Sequence, residues 1–567
     1  MVIDWDVPIT MDDGLVLRAD VFAPEGGAPH PVILTYGPYA KGLAFQDGYA
    51  DQWRLMVAEH PDVARGSSNR YQNWETVDPE KWVPDGYACV RVDSRGAGRS
   101  PGFLDPFSPR EARDLYECVE WAGVQAWSSG KVGINGISYY AMNAWHAAGL
   151  QPPHLAAICA WEGAADFYRD ATHHGGILCT FFRHWYDKQV TVVQHGTGGP
   201  RSAVTGEPVA GPQTRTEAEL AAARTAFGER IAARPLDGEF YRDRSARWDR
   251  ITVPLLTAAN WGGQGLHTRG NFEGFTRAAS AHKWLEVHGL EHWTHFYTGY
   301  GVDLQKRFFA CFLHGDDSRW RDQPPVQLQV RTLGGFTERA EREWPLARTR
   351  WTRLFLWPDR GRLEAEPPAA EAAVEYRADS GGVTFTASPA AAETEVTGPV
   401  AARLFVSSTA PDADLFCVLR VLAPDGSDVT FRGAIDPHTP VAQGWLRVSH
   451  RKLDPALSAE YRPYHPHDEI QPLVPGEVCQ ADVEIWPTSV VIPAGYRVAL
   501  TVRGKDWEVH HPDSPRLGSF KNEMTGCGPF LHDDPEDRPA ELTGSAQTLW
   551  SGPGRESFLL LPVIPAA

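Results

Sequence analysis

The chain has 567 residues, of which 42% are hydrophobic and 22% charged, a composition typical of a globular protein with two or three domains. Its 54 basic and 72 acidic residues give a formal net charge of −18, which argues against a nucleic-acid or anionic-membrane partner. The start lacks the basic and apolar regions of a signal peptide, and no apolar run is long enough to span a membrane, so we expect a cytoplasmic protein. The eight cysteines show no metal-ligand spacing, and we expect neither a metal nor a cofactor.

The first 318 residues predict alternating strands and helices, the order of a parallel α/β sheet. Strand patterns occur at 15–22, 31–36, 87–93, 132–135, 154–160, 253–259 and 283–288. Helices are predicted at 111–125, 272–279 and 304–313. Ligands of such sheets bind at the carboxyl ends of the strands.

Gly136-Ile137-Ser138 joins the strand at 132–135 to an alanine-rich helix, as in a nucleophile elbow. Small residues flank such a serine because the sharp turn that exposes its oxygen leaves no room for side chains. The general G-x-S-x-G pattern asks for glycine at position 140, where this chain has Tyr140, followed by Ala141. An ordinary strand-to-helix turn with a serine cap fits the same stretch.

The strand rhythm stops between 166 and 248, where the chain is aromatic and then helical, and we interpret this segment as a cap over the site. Beyond 319, short alternating runs broken by Pro and Gly predict a β-sandwich or jelly roll. The predicted organisation is an α/β domain over 1–165 and 249–318, an inserted helical cap over 166–248, and a β domain over 319–567.

In these features the chain resembles, nearly from end to end, the cocaine esterase and nonactin-hydrolase family of serine hydrolases. That family is related to X-prolyl dipeptidyl peptidases and α-amino acid ester hydrolases. Its elbow G-x-S-Y-x-G matches residues 136–141, with Ala141 in place of the last glycine, and residues 93–98 match a second signature. The resemblance implies an α/β-hydrolase domain with a helical cap and a C-terminal jelly-roll domain, with Ser138 as the nucleophile.

The resemblance also implies an oxyanion hole built from a tyrosine hydroxyl and the backbone N–H after the nucleophile. Tyr39, in the sequence Pro38-Tyr39-Ala40-Lys41, matches the family's P-Y-x-K loop and would supply the hydroxyl. Tyr139 would supply the N–H. Two such donors stabilise the negative charge that develops on the carbonyl oxygen during acyl transfer.

For the general base we choose His292, which follows the strand at 283–288 in the family's G-x-x-x-H region, although the spacing here is one residue short. His288 and His295 are the local rivals. Position after the strand favours His292.

A catalytic triad also needs an acid that orients the histidine, and at the position of this acid the chain departs from the family. Relatives carry G-W-x-D after the strand corresponding to 253–259, but this chain reads Asn260-Trp261-Gly262-Gly263 there. We therefore predict that Glu162, directly after the strand at 154–160, supplies the carboxylate. Asp166, or a carboxamide from Asn260 or Gln264, remains an alternative because asparagine orients the histidine of papain-like enzymes.

The predicted activity is hydrolysis of a small-molecule carboxylic ester, or of an amide, through an acyl-enzyme on Ser138. Acyl transfer and non-catalytic ligand binding remain alternatives, and the oligomeric state stays open. Two histidine clusters, at 465–467 and 510–511, are interpreted as polar loops because neither has a third ligand at a defined spacing. His267 and Arg269 lie where the loop of the missing acid should be, and they would either bind a substrate carboxylate or brace the loop; we favour bracing.

Overall fold

A computed structural model describes residues 1–566 of the protein. In it, a ten-stranded sheet dominates the first half of the chain. Its strand order is β1-β2-β4-β3-β5-β6-β11-β12-β13-β14, and the pairings from β4 to β13 are parallel. The strands up to the segment at 166–248 are β1 (Val2–Thr10), β2 (Val16–Ala23), β3 (His30–Gly37), β4 (Ala88–Asp93), β5 (Ser128–Ile137) and β6 (Leu155–Trp161). That segment holds the short strands β7 (His173–His174), β8 (Ile177–Leu178), β9 (Gly198–Arg201) and β10 (Pro208–Ala210). The sheet then continues with β11 (Leu255–Asn260), β12 (Lys283–His288), β13 (Val326–Thr332) and β14 (Gly335–Glu341).

Helices pack against this sheet, and four short ones lie in the segment between β6 and β11. The α-helices are α1 (Phe45–Gly48), α2 (Ala50–Glu59), α3 (Pro79–Trp82), α4 (Pro109–Gly123), α5 (Tyr139–Leu150), α6 (Phe181–Trp185), α7 (Glu217–Ala222), α8 (Phe227–Ala232), α9 (Glu239–Arg242), α10 (Arg269–Arg277), α11 (Thr294–Tyr297), α12 (Gly299–Phe309) and α13 (Ala540–Thr543). Within residues 1–566, none of them has both the length and the apolar character of a membrane-spanning helix.

The second half of the chain forms a closed β domain, because β26 pairs with both β15 and β19. Its strands are β15 (Arg350–Trp357), β16 (Arg362–Glu364), β17 (Ala372–Arg377), β18 (Val383–Thr386), β19 (Thr394–Ser408), β20 (Asp414–Leu422), β21 (Asp428–Val429), β22 (Ala442–Arg447), β23 (Cys479–Ile492), β24 (Arg497–Arg503), β25 (Ala546–Ser551) and β26 (Phe558–Ile564). Alternating apolar residues fill its interior, as the short alternating runs predict.

Strands β13 and β14 follow residue 319, where the sequence predicts that the β domain begins, but they belong to the sheet of the α/β domain. β13 pairs in parallel with β12, and β14 turns back on β13, so both extend the α/β sheet. The alternating pattern of β13 is typical of either domain, and only the partner strand decides between them. The sequence also predicts one helix over 217–233, whereas the structure has α7 and α8 with a break between them.

The strand register brings four residues to one edge of the sheet. Ile137 pairs with Trp161, so that Ser138 and Glu162 follow neighbouring strands at the same level. Asn260 pairs with His288 on the next two strands. The carboxyl edge of the sheet therefore carries the elbow serine beside a cluster of polar side chains.

Arg269 of α10 holds the three parts of the molecule together. Its buried guanidinium donates to Asp170 Oδ1 in the inserted segment at 2.9 Å and to both carboxylate oxygens of Glu484 on β23 at 3.0 Å. The side chain thus braces three segments, as the sequence interpretation expects.

We predict that Arg269→Met destabilises the protein by about 3–5 kcal/mol, because it leaves the buried Asp170 and the partly buried Glu484 without their partner. Urea unfolding followed by tryptophan fluorescence measures the change. Arg277→Met on the same helix is the matched control: its half-buried pair with Glu273 is worth less than about 1 kcal/mol. Equal losses in the two variants would contradict the bracing role of Arg269.

Candidate active site

Ser138 sits in a strained turn between β5 and α5, with φ 55° and ψ −109°. A Cβ added at Gly136 would lie 2.5 Å from the Tyr140 Cβ, and one at Gly163 would lie 2.6 Å from the Ala141 Cβ. Gly136 therefore makes room for the tyrosine at position 140, while Gly163 on the neighbouring strand end makes room for the alanine at position 141. Neighbouring glycines thus accommodate both departures from the G-x-S-x-G pattern.

Glu162 lies beside the serine at the end of β6 and belongs to a buried polar cluster. Its Oε1 accepts hydrogen bonds from His288 Nε2 at 2.7 Å and from Asn260 Nδ2 at 3.3 Å. The other ring nitrogen of His288 donates to Glu286 at 2.6 Å. Burial alone would lower the pKa of His288, but the charges of Glu286 and Glu162 raise it to about 10, so this imidazole is protonated near neutral pH. Glu162 Oε2 is buried without a hydrogen-bond partner among residues 1–566.

His292 lies in the loop after β12 and faces Glu75, with 2.9 Å between His292 Nε2 and Glu75 Oε1. Burial raises the pKa of Glu75 well above its usual value, and the charge of Glu162 adds to this effect. Burial also lowers the pKa of His292, so both groups are neutral and the Glu75 carboxyl donates to Nε2. The imidazole proton then lies on Nδ1, a buried atom with no partner in the described part of the chain. This is the tautomer that a general base requires.

Tyr39 and the start of α5 provide two hydrogen-bond donors next to the serine. The Tyr39 hydroxyl accepts a hydrogen bond from Trp185 Nε1 at 3.0 Å, and burial raises its pKa, so it keeps a proton to donate. Tyr139 is the first residue of α5, where a backbone N–H has no acceptor within the helix. Its own hydroxyl donates to Glu111 at 2.6 Å and anchors the side chain in the interior.

Asp93 at the end of β4 positions the loop that carries Tyr39. Its carboxylate accepts hydrogen bonds from the backbone N–H groups of Lys41 at 2.6 Å and Arg99 at 2.8 Å. Gly98 is required at this contact, because a Cβ there would lie 2.3 Å from the carboxyl group. The Lys41 ammonium pairs with the buried Asp20 at 2.7 Å. The two signature loops at 38–41 and 93–98 thus form one unit.

A narrow, mainly apolar cavity lies over these groups, and all three parts of the chain contribute to it. It is lined by Tyr39, Trp74, Glu75, Phe107, Ser138, Tyr139, Met142, Phe181, Phe182, Trp185, Gln189, Leu266, His267, His292, Ile435 and Phe520. The serine, the histidine and both predicted oxyanion residues therefore share one cavity. Glu162 lies outside this lining.

The other candidates for the acid have their polar groups engaged elsewhere. Asp166 accepts from the backbone N–H groups of two following residues and pairs with Arg169 at 2.8 Å. The Asn260 amide bonds Glu162 and the Leu290 carbonyl. The Gln264 side chain bonds the backbone of Trp261 and two other residues. None of these bonds involves His292.

Glu75 is a site residue that the sequence does not assign, and His267, which the sequence interpretation considers as a loop brace or a substrate contact, also lines the cavity. Glu75 lies in a loop far from every motif, and it reaches the elbow because its carbonyl accepts from the Ile137 N–H at 3.1 Å. His267 lies beside His292, with 5.0 Å between the ring centroids. No spacing in the chain points to Glu75.

Comparison with known proteins identifies the family. The family described as X-Pro dipeptidyl-peptidase (S15 family) matches residues 13–297, half of the chain, and the X-Pro dipeptidyl-peptidase C-terminal non-catalytic domain matches residues 318–525. The chain belongs to the S15 family. This S15 protein is an enzyme, a serine hydrolase, and the predicted fold class and family resemblance are confirmed.

Individual relatives of this S15 protein span almost its whole length. The cocaine esterase of Rhodococcus sp. is 24% identical and matches 99% of this chain and 98% of its own. A putative serine esterase of Mycobacterium bovis is 25% identical over 88% of this chain and 90% of its own. The crystal structure of a CocE/NonD family hydrolase from Staphylococcus aureus superposes with a TM-score of 0.86 at 29% identity, covering 100% of this chain and 94% of that one. An α-amino acid ester hydrolase shares the fold, with a TM-score of 0.66 at 15% identity over 99% of this chain and 96% of that one.

We predict that Glu75→Gln becomes increasingly stable relative to the wild type as pH rises. The pKa of Glu75 is higher in the folded protein than its usual value of 4.5, so the folded state holds this proton more tightly than the unfolded state does. The resulting stabilisation is complete below the usual pKa and is lost as pH rises toward the raised pKa of the folded protein. Glutamine keeps a donor toward His292 and does not titrate. Unfolding midpoints of both proteins at about pH 5 and about pH 8 measure the difference. A difference that stays constant with pH would contradict a neutral Glu75, and the exposed Glu541→Gln serves as the control.

Proposed function

We propose that this S15 hydrolase cleaves carboxylic esters through an acyl-enzyme on Ser138, with His292 as the general base. The observation that supports this best is the shared cavity: Tyr39, Ser138, Tyr139 and His292 come from three separate loops and line one small space. Each has the protonation state or free group that its role requires.

In the proposed reaction His292 Nε2 accepts the Ser138 proton while the serine oxygen attacks the ester carbonyl. Nε2 exchanges its contact with Glu75 for one with the serine hydroxyl, and the neutral Glu75 carboxyl keeps its own proton throughout. The Tyr39 hydroxyl and the Tyr139 N–H donate to the developing oxyanion, where one such donor typically contributes ~10²–10³ in kcat. His292 then protonates the leaving alcohol, and water releases the acyl group.

We further propose that Glu162 orients His292 through Nδ1, in the role that aspartate has in relatives. Two buried atoms support this assignment, since Glu162 Oε2 and His292 Nδ1 both lack a hydrogen-bond partner in residues 1–566. Burial raises the pKa of Glu162 to about 7, and the hydrogen bond and charge of the protonated His288 oppose this rise and favour the carboxylate form. Glu75 contacts Nε2, the nitrogen that must face the serine, and therefore does not occupy the orienting position at Nδ1.

The substrate class follows from the cavity walls and the relatives. Phe181, Phe182 and Trp185 of the inserted segment and Phe520 of the β domain favour an apolar acyl group. The names of the relatives, cocaine esterase and putative serine esterase, favour esters over amides. The same apolar walls favour, as the second candidate function, transfer of the acyl group to an alcohol or an amine instead of to water. If this transfer occurs, an alcohol added to the assay is converted to an ester at the expense of the free acid.

We predict that a fluorophosphonate labels Ser138 and abolishes hydrolysis of p-nitrophenyl esters. Peptide mapping by mass spectrometry locates the adduct, and Ser138→Ala should lose both the label and the activity. Labelling of another serine would refute the assignment of the nucleophile, and amino-acid anilides in the same panel separate esterase from amidase activity.

We predict that Glu162→Gln lowers kcat for p-nitrophenyl esters by as much as ~10⁴ without reducing fluorophosphonate access to the cavity, because a neutral amide no longer holds the productive tautomer. Glu286→Gln is the matched control, since it removes the other carboxylate from the same His288 and should cost far less. Asp166→Asn and Asn260→Ala test the alternatives. Near-normal turnover of Glu162→Gln would refute our assignment of the acid.

A further inference from the structure

Two histidines and a cysteine meet in the interior, between the inserted segment and the β domain. The donor atoms of His174, Cys179 and His532 all lie within 4.8 Å of one another, and all three residues are buried. Imidazole and thiolate are the ligands that Zn²⁺ prefers in proteins, and a tetrahedral site places such donors about 3.4–3.6 Å apart. The three donors are thus already gathered to nearly the spacing of a metal site.

The hydrogen bonds of His532 direct its free lone pair toward the centre of this cluster. Its Nδ1 donates to Asp506 Oδ1 at 2.7 Å, and Asp506 also accepts from the His532 backbone N–H at 2.7 Å. In the neutral imidazole Nε2 then carries a lone pair, and this atom lies 2.8 Å from His174 Nδ1. A carboxylate behind a histidine, with the opposite nitrogen free, is the usual outer-shell arrangement of a zinc ligand.

His174 is left incompletely satisfied by the same set of bonds. With its Nδ1 proton donated to His532, its Nε2 carries a lone pair that is buried and has no partner in the described residues. The backbone carbonyls of Asp170 and Gly265 lie beside this ring and can accept a proton from it. If Nδ1 bound a metal, Nε2 would carry the proton and become a donor to a carbonyl. A cation at the centre resolves the mismatch.

Cys179 completes the set from the other side. Burial raises the pKa of the Cys179 thiol, and the Phe181 backbone N–H, within hydrogen-bonding reach of the sulfur, partly opposes this rise. Trp445 packs on both histidine rings, and Phe416 on that of His532. The surrounding shell is aromatic.

We propose that His174, Cys179 and His532 bind one Zn²⁺ ion, with Asp506 as the outer-shell partner and water in the fourth position. On binding, the two imidazoles separate by roughly half an ångström and the Cys179 thiol loses its proton to solvent. The site lies at the seam where the Thr180 N–H donates to the Leu531 carbonyl at 2.8 Å. The ion clamps the inserted segment to the β domain just before Phe181 and Phe182, which form a wall of the cavity.

The test uses the full-length protein and two metals. After equilibration with Zn²⁺ and removal of free ions, elemental analysis should find one zinc per chain in the wild type and background levels in Cys179→Ala and His532→Gln. Equilibration with Co²⁺ should give the wild type a cobalt–thiolate charge-transfer band, which Cys179→Ala lacks. Asp506→Asn should weaken zinc affinity by about 10–100-fold.

Cys417→Ala, at a buried cysteine of the β domain outside the cluster, is the matched control and should keep both the zinc and the cobalt band. Absence of the cobalt–thiolate band from the wild type overturns the proposal, and this result does not depend on whether any variant folds. Equal zinc content in the wild type and a folded Cys179→Ala overturns it as well.

Discussion

The backbone of Ser138, held at a positive φ where β5 meets α5, is the constraint on which the site depends. A residue other than glycine adopts this conformation only where the surroundings hold it there. Tyr140 packs directly on Gly136 and Ala141 directly on Gly163, and this close packing holds the turn in place. As a result the serine stands at the carboxyl edge of the sheet, next to the end of β6, and α5 begins with a free N–H directly behind it.

Burial determines the charge of each group around that serine. His288 is protonated because two carboxylates bond it, whereas His292, which lacks a charged partner, stays neutral. Glu75 stays neutral because it is buried near Glu162. Two histidines four positions apart in the sequence therefore have opposite protonation states, and only the neutral one suits a general base.

The inserted segment and the β domain complete the cavity, which the α/β sheet alone does not enclose. Phe181 and Phe182 follow directly on Cys179, and Ile435 and Phe520 come from the β domain. Arg269 joins all three parts through buried ion pairs. The shape of the cavity therefore depends on contacts between segments as well as on the residues of the sheet.

The sequence by itself determined the order of strands and helices, the elbow at Ser138 and the Tyr39 loop, because periodicity, glycines and short motifs are local properties. It did not determine that β13 joins the first sheet, since an alternating strand fits any partner. Only the tertiary structure decided that Glu75 meets His292, that Glu162 bonds His288, and that His174 and Cys179 meet His532. These contacts join residues far apart in the chain, and burial, which no local pattern records, sets their protonation.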